Sequence, residues 1–106
     1  MTFENLVGLH VTDDAKYAEY RAAMTPLLTA HGGGFRYDFE VSRVLISETA
    51  PAINRVFMIG FPSRAAAEAV FADPSYVAVR RALFEPAVSS ITQLAAYDDP
   101  RPVDAR

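Results

Sequence analysis

The sequence has 106 residues, which suits one domain, and its 51% hydrophobic and 22% charged residues are typical of a folded protein. Cysteine is absent, which excludes disulfides, thiolate metal sites and cysteine nucleophiles. The net charge of −3 gives no positive surface for nucleic acid. The apolar runs are too short to span a membrane, and the N-terminus lacks the basic start of a signal peptide. We therefore expect a cytoplasmic protein without nucleic-acid or membrane partners.

A strand and a helix are predicted first. The strand covers residues 6–11, where Val7, Leu9 and Val11 alternate with a second set that includes His10. Thr12 or Asp13 can cap the helix that follows. The helix has an apolar face formed by Tyr17, Tyr20, Met24, Leu27 and Leu28. Pro26 predicts a kink in its last turns, and the three glycines at 32–34 predict its end.

The middle of the chain predicts two strands. Residues 35–41 alternate between apolar and polar side chains, as in a half-buried strand. The phase changes near 42–43, which predicts a bulge or bend before the apolar residues 44–46. Residues 47–54 are typical of a hairpin loop. Residues 56–61 are apolar throughout, which indicates a central strand buried on both faces.

The last third predicts two helical segments and a final strand. Ser63 is a suitable N-cap for a helix over residues 64–72, and Pro74 separates it from a second helical segment over 76–84. Residues 91–97 form the last predicted strand. The chain is thus predicted to fold as one domain over 1–97, followed by a polar, frayed tail over 98–106.

This βαββαβ order predicts an α+β, ferredoxin-like fold, with a four-stranded antiparallel sheet and both helices on one face. The helices cover only that face, whereas the strand 56–61 is apolar on both. We therefore expect the second face to be covered by the same face of another copy, in a homodimer. The same topology occurs in RNA-recognition motifs. The acidic composition and the poor match of 55–61 to their aromatic motif argue against RNA binding.

Several short motifs occur in an order that resembles one family. They are Tyr17-x-x-Tyr20, Pro26-Leu27-Leu28, Phe61-Pro62-Ser63, Ala65-Ala66-Ala67 and Asp73-Pro74-x-Tyr76. Over roughly residues 6–97 the chain resembles the DUF1330 family of small bacterial proteins, within the dimeric α/β-barrel superfamily. The resemblance implies a dimer whose two sheets form a barrel, often with a pocket between sheet and helices. It is a divergent resemblance, because Asp38, Gly60 and Leu83 stand where members often carry Arg, an acidic residue and Arg.

Three residues are candidates for catalysis. His10 lies on a central strand, and histidine can exchange a proton near neutral pH. A buried histidine bonded to the backbone or to a hydroxyl is the alternative. Tyr17 and Tyr20 face the sheet, where their hydroxyls can orient a carbonyl or a phenol. Simple packing, with each hydroxyl bonded to a partner, is the alternative.

Four further residues are candidates for substrate contact: Tyr37, Asp38, Glu40 and Tyr76. Asp38 and Glu40 share one face of their strand, about 7 Å apart, and could divide acid and base roles. Ion pairs with neighbouring arginines are the alternative. His10 and His31 lack ligand spacing, so no metal or other cofactor is expected.

Two functions fit these residues. The first is a cofactor-independent enzyme of the monooxygenase, cyclase or isomerase type, which the superfamily implies, acting on a small apolar carbonyl or aromatic compound. His10 would then be its acid–base catalyst, with a tyrosine as hydrogen-bond donor. The second is a non-catalytic metabolite-binding or protein-interaction domain. A His10 buried in the dimer interface, away from any cavity, would favour the second.

Overall fold

The computed structural model describes residues 1–100. The elements in chain order are β1 (Thr2–Val11), α1 (Asp14–Ala30), β2 (Gly34–Glu40), β3 (Arg55–Phe61), α2 (Arg64–Ala72), α3 (Pro74–Val79), a π-helical turn (Arg80–Phe84) and β4 (Val88–Asp99). The strands form one antiparallel sheet in the order β2-β3-β1-β4. The predicted ferredoxin-like arrangement is therefore confirmed. No helix of residues 1–100 is long and apolar enough to cross a membrane.

The first strand begins earlier, and the last strand ends later, than the sequence predicts. β1 begins at Thr2 rather than at residue 6, because Glu4 and Asn5 interrupt the apolar pattern yet still pair with β3 and β4. β4 runs from Val88 to Asp99 and so includes the first two residues of the predicted tail. The rest of that tail, from residue 101 onward, lies outside the described residues.

The bulge or bend predicted near 42–43 is observed as a bend at Ser42, and not as a bulge within a strand. β2 ends at Glu40, and its irregularity lies earlier, between Phe35 and Tyr37. Residues 44–46 form no strand because they pair with no neighbour, and Ile46 is 90% exposed. The connection between β2 and β3 is therefore a loop over residues 41–54.

Local hydrogen bonds explain where α1 begins and ends. The Asp13 carboxylate accepts a hydrogen bond from the backbone N–H of Lys16, which caps the N-terminus. The helix continues through Pro26 to Ala30. Beyond it, Gly32 has a φ of 75°, and Gly33 donates its N–H to the carbonyl of Leu28. This left-handed ending favours glycine, as the sequence predicted.

The sheet has two unlike faces. The helix face packs against α1, α2 and the segments after it, and its apolar residues include Val7, Leu9, Phe57 and Ile59. The open face is the opposite one, and by strand alternation it carries Leu6, Gly8, His10, Val56, Met58, Tyr37 and Phe39. Tyr37 and Phe39 stack with ring centroids 5.7 Å apart and are 57% and 54% exposed.

A charged pair spans the open face from β2 to β1. Arg36 donates to Glu4 through Nε at 2.8 Å and through Nη2 at 3.3 Å. The guanidinium crosses β3 at Gly60, where any Cβ atom would collide with it. Glu4 is only 1% exposed, and its hydrogen bond raises the pKa of Arg36. Gly60 therefore provides the space that lets a buried carboxylate meet its cation.

Candidate functional site

A cavity of about 350 Å³ lies between the helix face of the sheet and the helices. Its size is within the usual range of small-molecule sites. The strands contribute Asn5, Val7, Phe57, Ile59, Ile91 and Gln93 to its wall. The helical segments contribute Tyr20, Met24, Phe71, Tyr76, Arg80 and Phe84. Ile91 is 52% exposed, so the cavity opens beside β4.

The most buried polar feature of the cavity is a pair of tyrosine hydroxyls. Tyr20 of α1 and Tyr76 of α3 share a hydrogen bond of 3.0 Å between their hydroxyl oxygens. Both residues are buried, and the Tyr20 ring packs 4.9 Å from Phe84. Burial raises the pKa of Tyr20 well above its ordinary value, and the hydroxyl of Tyr76 raises it further. Tyr20 is therefore a neutral hydrogen-bond donor or acceptor, and not a base, at physiological pH.

Three more polar residues contribute to the wall: Arg80, Asn5 and Gln93. Gln93 donates from Nε2 to Oδ1 of Asn5 at 2.9 Å, which ties β4 to β1 at the cavity. Arg80 begins the π-helical turn, and its guanidinium lies 5.4 Å from the ring of Phe84. The sequence analysis did not single out these three residues. The spacing of Arg80, one helical turn after Tyr76, is the signal that would have found it.

Tyr17 lies beside this cavity but belongs to a separate charged cluster. Its ring is 5.8 Å from that of Tyr20, and the guanidinium of Arg55 lies 4.8 Å from the Tyr17 ring. Arg21 and Arg55 both form ion pairs with Asp38, at 3.3 Å for Arg55. Burial raises the pKa of Tyr17, although both arginines act in the opposite sense. Among residues 1–100, the Tyr17 hydroxyl and Oδ1 of Asp38 lack a hydrogen-bond partner.

The two candidate carboxylates of β2 share the helix face, as predicted. Asp38 is paired with Arg21 and Arg55, and Glu40 lies 3.8 Å from Arg55 and is mostly exposed. Their arrangement matches the ion-pair alternative. The depression beside Glu40 and Arg55, about 390 Å³, is also lined by the loop residues Val41, Ser42 and Asn54.

His10 and Tyr37 lie on the other side of the sheet. Nδ1 of His10 is 2.6 Å from the hydroxyl of Ser89, and the neighbours Leu9 and Val11 point to the helix face. Tyr37 stacks on Phe39 on the open face. The structure therefore brings Tyr20 and Tyr76 together, with Tyr17 next to them, and places His10 and Tyr37 away from the cavity.

Within residues 1–100, no three histidine, aspartate or glutamate side chains are grouped as metal ligands would be.

Comparison with protein families gives one match. The model of DUF1330, a domain of unknown function, matches residues 6–96. Among curated proteins, none matches this sequence.

Solved structures share the fold at low sequence identity. A protein of unknown function from Rhodopseudomonas palustris superposes with a TM-score of 0.79 at 19% identity, covering 95% of this chain and 84% of that one. The hydroxynitrile lyase of Passiflora edulis superposes with a TM-score of 0.66 at 14% identity, covering 95% and 97%. A dimeric ferredoxin-like protein of unknown function from Jannaschia sp. CCS1 gives 0.65 at 14%, covering 93% and 100%.

Proposed function

We propose that this chain, which belongs to the DUF1330 family, is a homodimeric protein that binds a small, largely apolar molecule in the cavity on the helix face. The observation that carries the proposal is the composition of the cavity wall. Most of its residues are aliphatic or aromatic, and the polar ones converge from α1, α3, β1 and β4. A mostly apolar wall with a few convergent polar groups is typical of small-molecule sites.

The position of His10 favours binding over acid–base catalysis. His10 lies on the open face, so it cannot exchange a proton with a molecule in the cavity. The tyrosines beside the cavity do not replace it as a base, because burial raises the pKa of both Tyr17 and Tyr20. This distribution supports the second of the two functions predicted from the sequence.

The open face supports the homodimer part of the proposal. Its strands expose Tyr37 and Phe39 and leave Leu6 and Met58 only partly covered. An apolar sheet face of this kind is stabilised when a second copy packs on it, with about 800 Å² buried per partner in a typical interface. The related fold from Jannaschia sp. CCS1 is described as dimeric. We propose that the two copies meet through their open faces.

The cavity is tested with an uncharged fluorescent probe, N-phenyl-1-naphthylamine. Its emission rises when it enters an apolar site, and we expect one probe per protomer. Ile91→Trp places a large side chain at the exposed opening and should weaken binding at least about tenfold, since tryptophan fits a half-exposed strand position without disturbing the core. Ala69→Trp adds a tryptophan to the exposed side of α2 and should leave binding unchanged. Equal binding by both variants would contradict the proposal.

A catalytic role in the same cavity is the second candidate. The observation that favours it is the buried hydroxyl pair of Tyr20 and Tyr76, because a neutral donor in an apolar cavity can polarise a carbonyl oxygen. The related fold from Passiflora edulis is that of a hydroxynitrile lyase. Incubation with a panel of apolar aldehydes and ketones, followed by NMR, tests this candidate. Turnover that is lost in Tyr76→Phe but kept in His10→Ala would support it.

A further inference from the structure

We infer that the molecule bound in the cavity carries a carboxylate, and that Arg80 binds this group; the inference rests on the proposed function. Arg80 contributes to the cavity wall and is itself exposed, so its guanidinium lies where the cavity meets solvent. A ligand in the cavity would thus place its apolar body among Val7, Met24 and Ile59 and its charged end at Arg80.

The charged groups of the cavity wall are of one sign. Arg80 donates only, and the wall contains no aspartate, glutamate or histidine. The hydroxyl pair of Tyr20 and Tyr76 has two protons, and one is used in their shared hydrogen bond. The other proton is available to a ligand whichever tyrosine donates. A wall with a cation and a spare hydroxyl donor, but no anion, is complementary to an anionic acceptor.

The charge of Arg80 is not neutralised by the described part of the protein. In residues 1–100, the arginines at 21, 36, 55 and 64 each form an ion pair with a carboxylate, whereas Arg43, Arg80 and Arg81 form none. Of these three, Arg80 contributes to the cavity wall, and its guanidinium lies 5.4 Å from the ring of Phe84. Arg80 lines the same cavity as Tyr20 and Tyr76, and its charge acts to lower the pKa of Tyr20. A carboxylate could therefore be bound by both groups at once.

The backbone at Arg80 is unusual for a helix. Residues Arg80–Phe84 form a π-helical turn, in which the N–H of Glu85 donates to the carbonyl of Arg80 at 2.9 Å. Such turns occur frequently at functional sites. Here the turn begins at Arg80, directly after α3, and the N–H of Arg80 still bonds to the carbonyl of Tyr76 as in a regular α-helix.

The test compares acids with uncharged partners of nearly the same shape. The probes are 2-naphthoate with 2-naphthamide, and 4-phenylbutyrate with 4-phenylbutyramide, titrated by calorimetry at pH 7. We expect the wild-type protein to bind each acid about tenfold more tightly than its amide, which is the effect of one charge-assisted hydrogen bond. Arg80→Gln should remove this preference. Arg81→Gln, which changes the same charge at the neighbouring exposed residue, should keep it.

The outcomes separate the inference from the proposed function. Equal binding of acid and amide by the wild-type protein, or an acid preference that persists in Arg80→Gln, overturns the inference and leaves the cavity as a binding site. Binding of N-phenyl-1-naphthylamine without binding of any of the four probes overturns the inference alone. If that uncharged probe also fails to bind, the proposed function fails with the inference.

Discussion

On the helix face of the sheet, helices cover the apolar strand residues and leave a cavity with a neutral hydroxyl pair at its wall. On the open face, no element of the described chain packs over Tyr37 and Phe39, and the buried polar groups there include the carboxylate of Glu4. Glu4 is satisfied by a charged partner, Arg36, whereas Tyr20 is satisfied by another tyrosine.

The difference between a charged and a neutral partner suits the two faces to different roles. The hydroxyl pair of Tyr20 and Tyr76 is neutral and keeps one proton free to donate. A ligand can replace one hydroxyl as the hydrogen-bond partner of the other without leaving a buried charge. A buried carboxylate with a bidentate arginine has no such freedom, because removing either partner leaves an uncompensated charge. The hydroxyl pair therefore suits the reversible binding proposed for the helix face, whereas the charged pair of the open face suits a fixed structural role.

The largest expected effect comes from breaking the charged pair of the open face. Arg36→Met leaves the Glu4 carboxylate buried without a cation, which should lower the free energy of unfolding by about 3–5 kcal/mol. Urea denaturation at a fixed protein concentration measures it. Arg64→Met is the matched control, since Arg64 pairs with Asp98 where both side chains are well exposed, and it should cost about 1 kcal/mol or less. Equal losses of unfolding free energy in Arg36→Met and Arg64→Met would contradict the claim that the open face holds a buried carboxylate that requires its cation.

A charge placed among the apolar residues of the open face should separate the proposed dimer. Met58→Glu adds a carboxylate opposite Leu6 on the neighbouring strand, where a second copy would bury it without a cation. We expect the dimer dissociation constant to rise at least about 100-fold, as measured by analytical ultracentrifugation. Ala69→Glu on the exposed side of α2 should leave the constant unchanged. A dimer that tolerates Met58→Glu would place the interface elsewhere.

The smallest effect concerns the hydroxyl groups of the helix face at alkaline pH. The pKa values of Tyr17 and Tyr20 are raised in the folded protein, so folding favours their neutral forms. This stability is fully present below the ordinary tyrosine pKa of about 10 and is lost as the pH rises above it. Circular dichroism should therefore detect destabilisation above about pH 10, and Tyr20→Phe should shift the transition to higher pH. A transition that Tyr20→Phe does not move would contradict the role of Tyr20.

The sequence predicts the bounds of a helix well where a capping residue and a proline lie at its two ends. Residues 64–72 are predicted as a helix with the bounds observed, because Ser63 caps one end and Pro74 limits the other. The sequence does not indicate the start of β1, because Glu4 is polar and interrupts the apolar pattern. Its burial is explained by the hydrogen bonds that it accepts from Arg36. This contact crosses a whole strand at Gly60, so no local pattern reveals it.

The candidate site is predicted only in part for a similar reason. Helical spacing places Tyr20 on the face toward the sheet, and the structure adds its bond to Tyr76 from a different helix. Arg80 lies one helical turn after Tyr76 and becomes part of the cavity because Tyr76 packs against Tyr20 of α1. The side of the sheet that His10 occupies follows from alternation, but the position of the cavity depends on how the helices pack.

Native mass spectrometry of the wild-type protein at micromolar concentration, with 2-naphthoate added, tests the central claim most directly. The account predicts a dimer of twice the 11.6 kDa chain mass that carries two naphthoate molecules, one for each helix-face cavity. A monomer, or a dimer that takes up neither naphthoate nor the uncharged N-phenyl-1-naphthylamine, would contradict the division of the sheet into one face for association and one for binding.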